Sequence, residues 1–520
     1  MIITSPFPAL AISDLPLTRF VFEHVDAHLD RPALVDGGTG AVTTHGELRD
    51  RVAATATGLT ERGIGSGHVV GIYSPNVPDY ATAFLGVAQA GATNTTANGL
   101  YGVEELAFQL RDCSARMLIT HPSLADRAFP AARAVGIDQV VSFGEFEGAT
   151  PFEELLSNGP PVSVAIDAAR DTVSLPYSSG TTGLSKGVRL THRNLVANVQ
   201  QLEDVLEMGP DDVVMGVLPF FHIYGQTVVM AAALRAGASI VTMARFDLEQ
   251  YLALIQEHRA TRAFVAPPIV LAFAKHPLID RYDTSSLVHI MSGAAPLDAA
   301  TATQAAARVG CPITQGYGMT EASPVITLVT AFGENRPGSV GPLVANTEGR
   351  IVDPETGQDV AIGEAGELWA RGPQVMPGYL GNDAATATAI VDGEWLRTGD
   401  IATADADGWI TITDRLKELI KVKGYQVAPA ELEALLLTHP AVTDSCVIPV
   451  PDDEAGERPK AFIVVSEPVE PQAVIDWMRE RSAPHKRLIA VEIVDEIPKS
   501  ASGKILRRVL VERERAAASK

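Results

Sequence analysis

The sequence predicts an α/β protein in two parts. A large N-terminal domain, residues 1–414, comprises two β-α-type subdomains and a small β subdomain; a C-terminal α+β domain, residues 415–520, follows. Three observations carry this reading. Strand-like apolar segments alternate with helical ones through most of the first 400 residues, the pattern of mostly parallel sheets covered by helices. From about Gly349 the texture changes to short strands separated by turns. After Asp414 the composition changes again. A chain of 520 residues exceeds a single core, and roughly three or four compact units are expected.

Taken in order, Val213–Leu218 and Ser239–Met243 read as strands. A helix starts at Leu248 with Tyr251, Leu252 and Ile255 as apolar positions, and Ala263–Val265 reads as a strand that ends before Pro267 and Pro268. Short strands are expected at Gly349–Val352, Glu367–Arg371 and Trp409–Thr413. Pro429 suits the first turn of a helix. Glu431 and Glu433 complement the positive start of that helix, and Leu432, Leu435 and Leu436 form one apolar face. Strands at Ser445–Val450, Ala461–Val465 and Val491–Val494 surround a helix near Val474–Arg481, enough chain to enclose its own core. The sequence contains no internal repeat and no low-complexity tract.

The formal net charge of −22 argues against general nucleic-acid or membrane binding. Cys113, Cys311 and Cys446 lie far apart without a C-x-x-C, so neither a disulfide framework nor a thiolate zinc site is expected, and a reducing cytoplasm suits them. No basic residue precedes Arg19, and prolines interrupt the N-terminal apolar stretch, unlike a secretory signal. The longest apolar runs, such as Val228–Leu234, are too short for an integral membrane segment. Ala518-Ser519-Lys520 lacks the final leucine of a peroxisomal tail.

The first chemical signal is SSGTTGLSKG, Ser178 to Gly187. Its glycines bring bare N–H groups close to an anion, and its hydroxyls and single lysine complete the loop. It is not the P-loop of nucleotide hydrolases, because counting from Gly180 residue 185 is Ser, and Lys186 is followed by Gly187. Arg415, Lys417, Lys421 and Lys423 then form a basic run in an acidic chain. Such a run ordinarily marks a solvated helix face. Here Gly424 breaks any helix and the run lies at a domain boundary, where clefts form, which points to an anionic ligand between the domains.

Further motifs follow. LPFFHIYG, Leu218 to Gly225, places His222 and Tyr224 after a strand; a histidine between Phe221 and Ile223 reads by itself as half-buried packing. In QGYGMTE, Gln315 to Glu321, Gly316 and Gly318 flank a ring that can stack on a base, while Thr320 and Glu321 offer a phosphate donor and an oxygen ligand for Mg²⁺. RTGD, Arg397 to Asp400, presents a carboxylate that can accept two hydrogen bonds from a ribose diol. SASGKILRR, Ser500 to Arg508, sets Lys504 on a Ser-Gly turn.

In chain order, the Ser/Thr/Gly loop with Lys, PFFHIYG, QGYGMTE, TGD, DRLKELIKVKGYQV and SGK resemble the adenylate-forming superfamily of acyl-CoA synthetases, peptide-synthetase adenylation domains and beetle luciferases. The resemblance covers nearly the whole chain. A narrower likeness, to 4-coumarate–CoA ligases and related bacterial ligases, is carried by PYSSGTTG, PFFHIYG, SGAAPL (Ser292 to Leu297) and KGYQVAPAELE (Lys423 to Glu433). It implies an ATP-dependent acid–CoA ligase that makes acyl-AMP and pyrophosphate, then acyl-CoA and AMP, from a cinnamate-type acid. The alternatives are a medium- or long-chain fatty acid–CoA ligase, or an adenylating enzyme that passes its acyl group to a carrier protein. A monomer or homodimer is expected.

The resemblance also implies roles. Ser178, Ser179, Gly180, Thr181, Thr182, Gly183 and Lys186 would cover the ATP phosphates, with Ala294, Gln315, Gly316, Tyr317, Thr320, Asp400, Arg415 and Lys417 completing the nucleotide site. Glu321 would bind Mg²⁺. Lys504, His222, Thr320, Lys421 and Gln426 form the implied catalytic set. Arg245, Lys423 and Gly424 would meet CoA. His222, Tyr224, Ala294, Gly316, Gly318, Pro324 and Val325 would line the acyl pocket. The C-terminal domain would be mobile, pivoting near Lys417, so that Lys504 serves adenylation and Lys423-Gly424 the thiol step.

Three positions depart from the usual pattern: Ser185 stands for proline, Gly99 follows Asn98 where proline is common, and Ser323 replaces a glycine beside the expected acyl pocket. Other members of the superfamily fit less well. An amino-acid-activating domain needs an acidic residue near Phe221–Tyr224, where this chain has His222. A fatty acyl-AMP ligase carries an insertion for which Pro377–Asp400 has no room. A protein that only bound nucleotide would have no use for both Lys504 and Lys423-Gly424.

Overall fold

The computed structural model describes residues 2–178, 185–422, 425–452, 455–500 and 503–518. Among these residues the strands form four sheets. The first has a parallel centre, Thr93–Thr96, Val69–Tyr73, Ala115–Thr120 and Gln139–Ser142, extended through Thr172–Ser174 to the antiparallel pair Lys186–Thr191 and Tyr177–Ser178. The second is parallel from Ile313–Gly318 through His289–Ser292, Arg262–Val265, Val213–Gly216 and Ser239–Thr242 to Pro32–Asp36. The third is antiparallel, built on Glu348–Val352, Gly366–Arg371, Trp395–Ala404 and Ile410–Arg415. The fourth joins Ile420–Val422, Tyr425–Val427, Val442–Asp452, Gly456–Val465 and Ala490–Ile493. The molecule is thus a large N-terminal α/β domain with a separate C-terminal α+β domain.

Local chemistry explains the helix starts. Thr44 and Glu47 form a reciprocal capping box at His45–Glu61, Thr191 and Asn194 do the same at His192–Leu206, and Asp247 caps Leu248–His258. The apolar helix Pro78–Gln89 is buried over most of its length, with Tyr80 and Phe84 fully enclosed. Burial of such side chains contributes about 1.5–3 kcal/mol each.

Two expected strands end elsewhere for identifiable reasons. Val213–Leu218 stops at Gly216, because the Asn76 amide takes the carbonyls of Gly216 and Leu218 at 2.9 and 2.8 Å and accepts from the Phe220 N–H at 2.8 Å. The chain is thereby turned into the Pro219 loop. Trp409–Thr413 is displaced to Ile410–Arg415, since pairing with Trp395–Ala404 continues until Arg415 stands opposite Asp400. The next strand, Ile420–Val422, belongs to the fourth sheet. All three cysteines are buried and unpaired, and no described helix is long and apolar enough to cross a membrane.

Candidate functional site

The site begins at the stem of a hairpin. Ser178 and Lys186 pair across it, while Ser179, Gly180, Thr181, Thr182 and Gly183 lie outside the described residues. Behind the stem, Ile313–Gly318 carries Gln315, Gly316 and Tyr317 toward the third sheet. The Tyr317 hydroxyl donates to Asp400 Oδ2 at 2.5 Å, and Arg415 Nε lies 3.6 Å from Asp400 Oδ1. Burial raises the Asp400 carboxyl, and Arg415 and the Tyr317 hydroxyl act in the opposite direction. Thr320 opens a helical turn whose next residue, the buried Glu321, accepts from Tyr379 Oη at 2.9 Å and Ser178 Oγ at 3.1 Å.

Lys504 enters this cluster from the other domain. Ser500 and Lys504 close a tight turn through Ser500 N–H to the Lys504 carbonyl (2.8 Å) and Lys504 N–H to Ser500 Oγ (3.1 Å). Gly503 completes it at φ +82°, where a Cβ would stand 2.9 Å from that of Ala266. Only glycine combines the left-handed backbone with so close an approach to the large domain. Desolvation, and then the Arg415 guanidinium, push the Lys504 ammonium down to about 8 although Asp400 and Glu321 pull the other way. A cation here faces Asp400 and Glu321 with no ion pair to either among the described residues, and it can reach an added anion.

His222 sits on the Pro219 loop, held by Asn76 on one side. On the other side the Phe221 carbonyl accepts from Thr96 Oγ1 at 2.8 Å and Gln226 Nε2 at 3.0 Å. Its Nδ1 accepts from the Tyr224 N–H at 3.2 Å, which assigns the proton of the neutral ring to Nε2. Burial and the nearby Lys504 charge push the ring down to about 4, so it is neutral at pH 7.

Beyond His222 the buried Tyr224 points its hydroxyl at the Met291 carbonyl over a long 3.4 Å. A Cβ at Gly293 would lie 3.0 Å from the Tyr224 ring, one at Gly316 would meet Met291 and Leu328 below 3.0 Å, and one at Gly318 would strike the Pro324 carbonyl. Glycine at these positions lets the Tyr224 ring, Met291, Leu328 and the Pro324 backbone pack closely around the expected acyl pocket. Ala294 follows Gly293 in a left-handed conformation, φ +73°. Gly293 was not singled out from the sequence, although it adjoins the ring. Behind Pro324-Val325 the Asn198 amide exchanges two 3.0 Å hydrogen bonds with the Val325 backbone.

Ser323 directs its hydroxyl elsewhere. It is fully buried at φ +68°, and its Oγ donates to the Gln374 carbonyl at 2.8 Å. The left-handed backbone explains why glycine suits the position in relatives, and the buried hydrogen bond offsets the strain that serine brings. Ser323→Gly should therefore leave the ranking of acids by kcat/KM within about twofold of the parent, since one neutral hydrogen bond to Gln374 is exchanged for relaxed backbone. A reordered acid ranking would show that the side chain shapes the pocket.

Other expected site residues lie apart from this cluster. Arg245 is exposed on the loop after Ser239–Thr242. Lys421 is exposed on Ile420–Val422, its N–H donating to Glu457 at 2.9 Å, and is paired in register with Gln426. Lys423 and Gly424 fall outside the described residues. Lys417 lies in a turn closed by the Glu418 N–H and the Arg415 carbonyl at 2.9 Å. Tyr379, Asp414 and Arg507 were not singled out from the sequence, although Arg507 lies within SASGKILRR, because their partners come from distant segments.

Residues 21–380 match the family model described as AMP-binding enzyme, and residues 431–504 match the AMP-binding enzyme C-terminal domain. The chain is 42% identical over 530 residues to 4-coumarate–CoA ligase 1 of Solanum tuberosum, covering 98% of this chain and 96% of that protein. Among solved structures, the anthranilate CoA ligase AuaEII in complex with anthranoyl-AMP superposes with TM-score 0.91 at 28% identity, over 98% and 99% of the two chains. MatB from Rhodopseudomonas palustris, also 28% identical over 96% and 99%, superposes with TM-score 0.86 in its ATP-bound form and 0.77 in its apo form. With both family models matched and this identity sustained over nearly its whole length, the chain belongs to the AMP-binding enzymes of the adenylate-forming superfamily and stands with their 4-coumarate–CoA ligase-like members.

Proposed function

We propose that this AMP-forming acid–CoA ligase activates a cinnamate-type aryl acid in two half-reactions that use two arrangements of its domains. The observation that carries the reading is the meeting of Lys504, from the C-terminal domain, with Asp400, Glu321 and His222 of the large domain and with Arg415 at the domain boundary. In the first step a carboxylate oxygen attacks the α-phosphorus of ATP, and the bond to the β-phosphate breaks as pyrophosphate leaves. Two anions must meet, and at low dielectric their repulsion is large. Lys504 bridges carboxylate and phosphate with fixed positive charge where charge builds up. Thr320 donates to the α-phosphate, Asp400 accepts from the ribose hydroxyls, and Tyr317 flanks the base. Arg415 beside Asp400 favours its charged form against the burial that raises its pKa. Ser178 and Lys186 bound the loop that covers the departing phosphates.

A carboxylate whose second oxygen makes no hydrogen bond among the described residues suits Mg²⁺, which binds through one or two carboxylates plus substrate phosphates. Glu321 supplies it, its Oε1 already taken by two hydroxyls, and among the described residues there is no cluster of three or more potential ligands. The ion would neutralise phosphate charge during transfer.

In the second step the C-terminal domain turns about Lys417, withdrawing Lys504 and bringing Lys423, Gly424, Lys421 and Gln426 toward the adenylate. The CoA thiolate attacks the acyl carbonyl, the bond to AMP breaks, and AMP leaves. His222, with its Nε2–H, stands between acyl pocket and thiol entrance, and Arg245 would meet the CoA phosphates. The better superposition on ATP-bound than on apo MatB supports assigning the present arrangement to adenylation. Three buried unpaired thiols suit the expected cytoplasmic location.

The aryl acid is supported by the likeness to coumarate ligases and by the buried Tyr224 hydroxyl near His222. That hydroxyl, only weakly engaged by Met291, is free to accept or donate to a ring hydroxyl. Pyrophosphate exchange and CoA thioester formation across cinnamates, benzoates and fatty acids test the reading. Tyr224→Phe should lower the preference for 4-coumarate over cinnamate by about 0.5–1.5 kcal/mol in kcat/KM. An unchanged ratio, or turnover confined to fatty acids, would overturn the aryl assignment.

A further inference from the structure

Tyr379 joins two parts of the site that the chain holds far apart. It lies on the short strand Gly378–Tyr379, which pairs antiparallel with the strand leaving the phosphate-loop stem, Tyr379 opposite Val188. The Leu380 N–H donates to the Gly187 carbonyl at 2.8 Å, and the Tyr379 N–H donates to Thr386 Oγ1 at 3.0 Å. The backbone of Tyr379 is therefore zipped to the residue that follows Lys186. Its side chain faces both charged groups at once. Lys186 Nζ lies 5.1 Å from the ring centroid, and the hydroxyl donates to Glu321 Oε1 at 2.9 Å.

The chemistry of this placement is specific. A lysine and a glutamate left to themselves beside one pocket form an ion pair, and each is then unavailable until the pair is broken. A neutral ring between them offers its negative face to the ammonium and its O–H to the carboxylate. Each charge is partly satisfied and neither is consumed. Tyr379 and Ser178 both donate to the same oxygen, Oε1. The carboxylate is thus fixed in one rotation about its last bond, with Oε2 left for another ligand.

We propose that Tyr379 is the positioning residue that aims Glu321 at the nucleotide-bound divalent cation and holds Lys186 apart from that carboxylate. The inference rests on the reading of Glu321 as the metal-binding residue. It couples the two elements physically: the strand that carries the phosphate-binding lysine also carries, through its neighbour, the hydroxyl that orients the carboxylate.

The test is ATP binding to the full-length protein by calorimetry, with Mg²⁺ and with excess EDTA, which needs no turnover. The quantity read is the ratio of the two dissociation constants, the gain in affinity that the cation brings. Tyr379→Phe keeps the ring over Lys186 and removes only the hydroxyl. It should shrink the Mg²⁺-dependent gain by at least about fivefold while metal-free ATP binds within about twofold of the parent. Tyr379→Leu also removes the ring and should in addition weaken metal-free ATP. An undiminished gain in the Phe variant, or equal weakening of both forms of ATP in the Phe and Leu variants, would overturn the proposal. Glu321→Gln separates the two levels. If it keeps the full Mg²⁺-dependent gain, the metal reading of Glu321 itself fails; if it loses the gain while Tyr379→Phe does not, only the role of Tyr379 fails.

Discussion

Lys504→Ala is expected to slow acyl-AMP formation by at least ~10²-fold, about 2.7 kcal/mol of lost electrostatic stabilisation. The same variant should convert synthetic acyl-AMP and CoA to thioester at close to the parental rate. The asymmetry follows from placement. In the present arrangement Lys504 is the cation brought in by the C-terminal domain, set beside Asp400, Glu321 and His222 by the turn at Gly503. The proposed rotation about Lys417 would carry it away before the thiol reacts. Its ionisation gives a second readout. The ammonium is the active form, and it is lowered to about 8 in the protein without ligands. The kcat/KM of adenylation, which reports free-enzyme ionisations, should therefore fall as pH rises through about 8. Lys504→Arg, whatever its absolute rate, should lack that fall because a guanidinium stays charged. Equal damage to both half-reactions in the alanine variant, or a pH profile unchanged by arginine, would remove Lys504 from the role assigned to it.

Asp414→Ala is expected to lower pyrophosphate exchange by at least about tenfold, while thioester formation from synthetic acyl-AMP is unchanged or faster. Asp414 is buried on the last strand of the third sheet. One carboxylate oxygen accepts from the Arg415 N–H at 2.7 Å; the other accepts from the Ala430 N–H at 2.9 Å, at the start of helix Pro429–Leu437. A negative charge at a helix start is favourable, and a hydrogen bond to a charged group is worth about 1.5–3 kcal/mol. Asp414 precedes the proposed pivot and Ala430 follows it, so a large rotation about Lys417 separates them. The bond belongs to one arrangement only. Glu418 travels with the other side: Arg507 Nε pairs with it at 2.8 Å and the same guanidinium pairs with Glu433. Burial raises the Asp414 carboxyl to about 6. Protonation below that pH removes the charge at the helix start, so exchange by the parent should weaken as pH falls through about 6. Asp414→Asn, which keeps an acceptor without a charge, should lack this step. Parallel loss of both half-reactions in Asp414→Ala would mean that the contact stabilises the fold without favouring either arrangement.

The order of the motifs and the class of the fold were legible in the chain because both depend on short-range patterns. Apolar periodicity marks β-α units, and glycines with hydroxyls and a lysine mark an anion loop wherever they occur. Asp400, Tyr317, Lys504 and His222 could be named for the same reason, each inside a recognisable local string. The pairing of Tyr379 with Glu321, 58 residues apart, had no such string. Nor had the capture of Ala430 by Asp414, or the hydrogen bond that directs Ser323 to the Gln374 carbonyl. These are directions of side chains, fixed only when strands from distant segments take their register and helices pack on them. Residue order determined which chemical groups this protein possesses and roughly where each element begins. Which groups face one another was decided by tertiary packing, because a hydrogen bond or an ion pair responds to ångströms of separation and to burial, and neither is a property of neighbours in the chain.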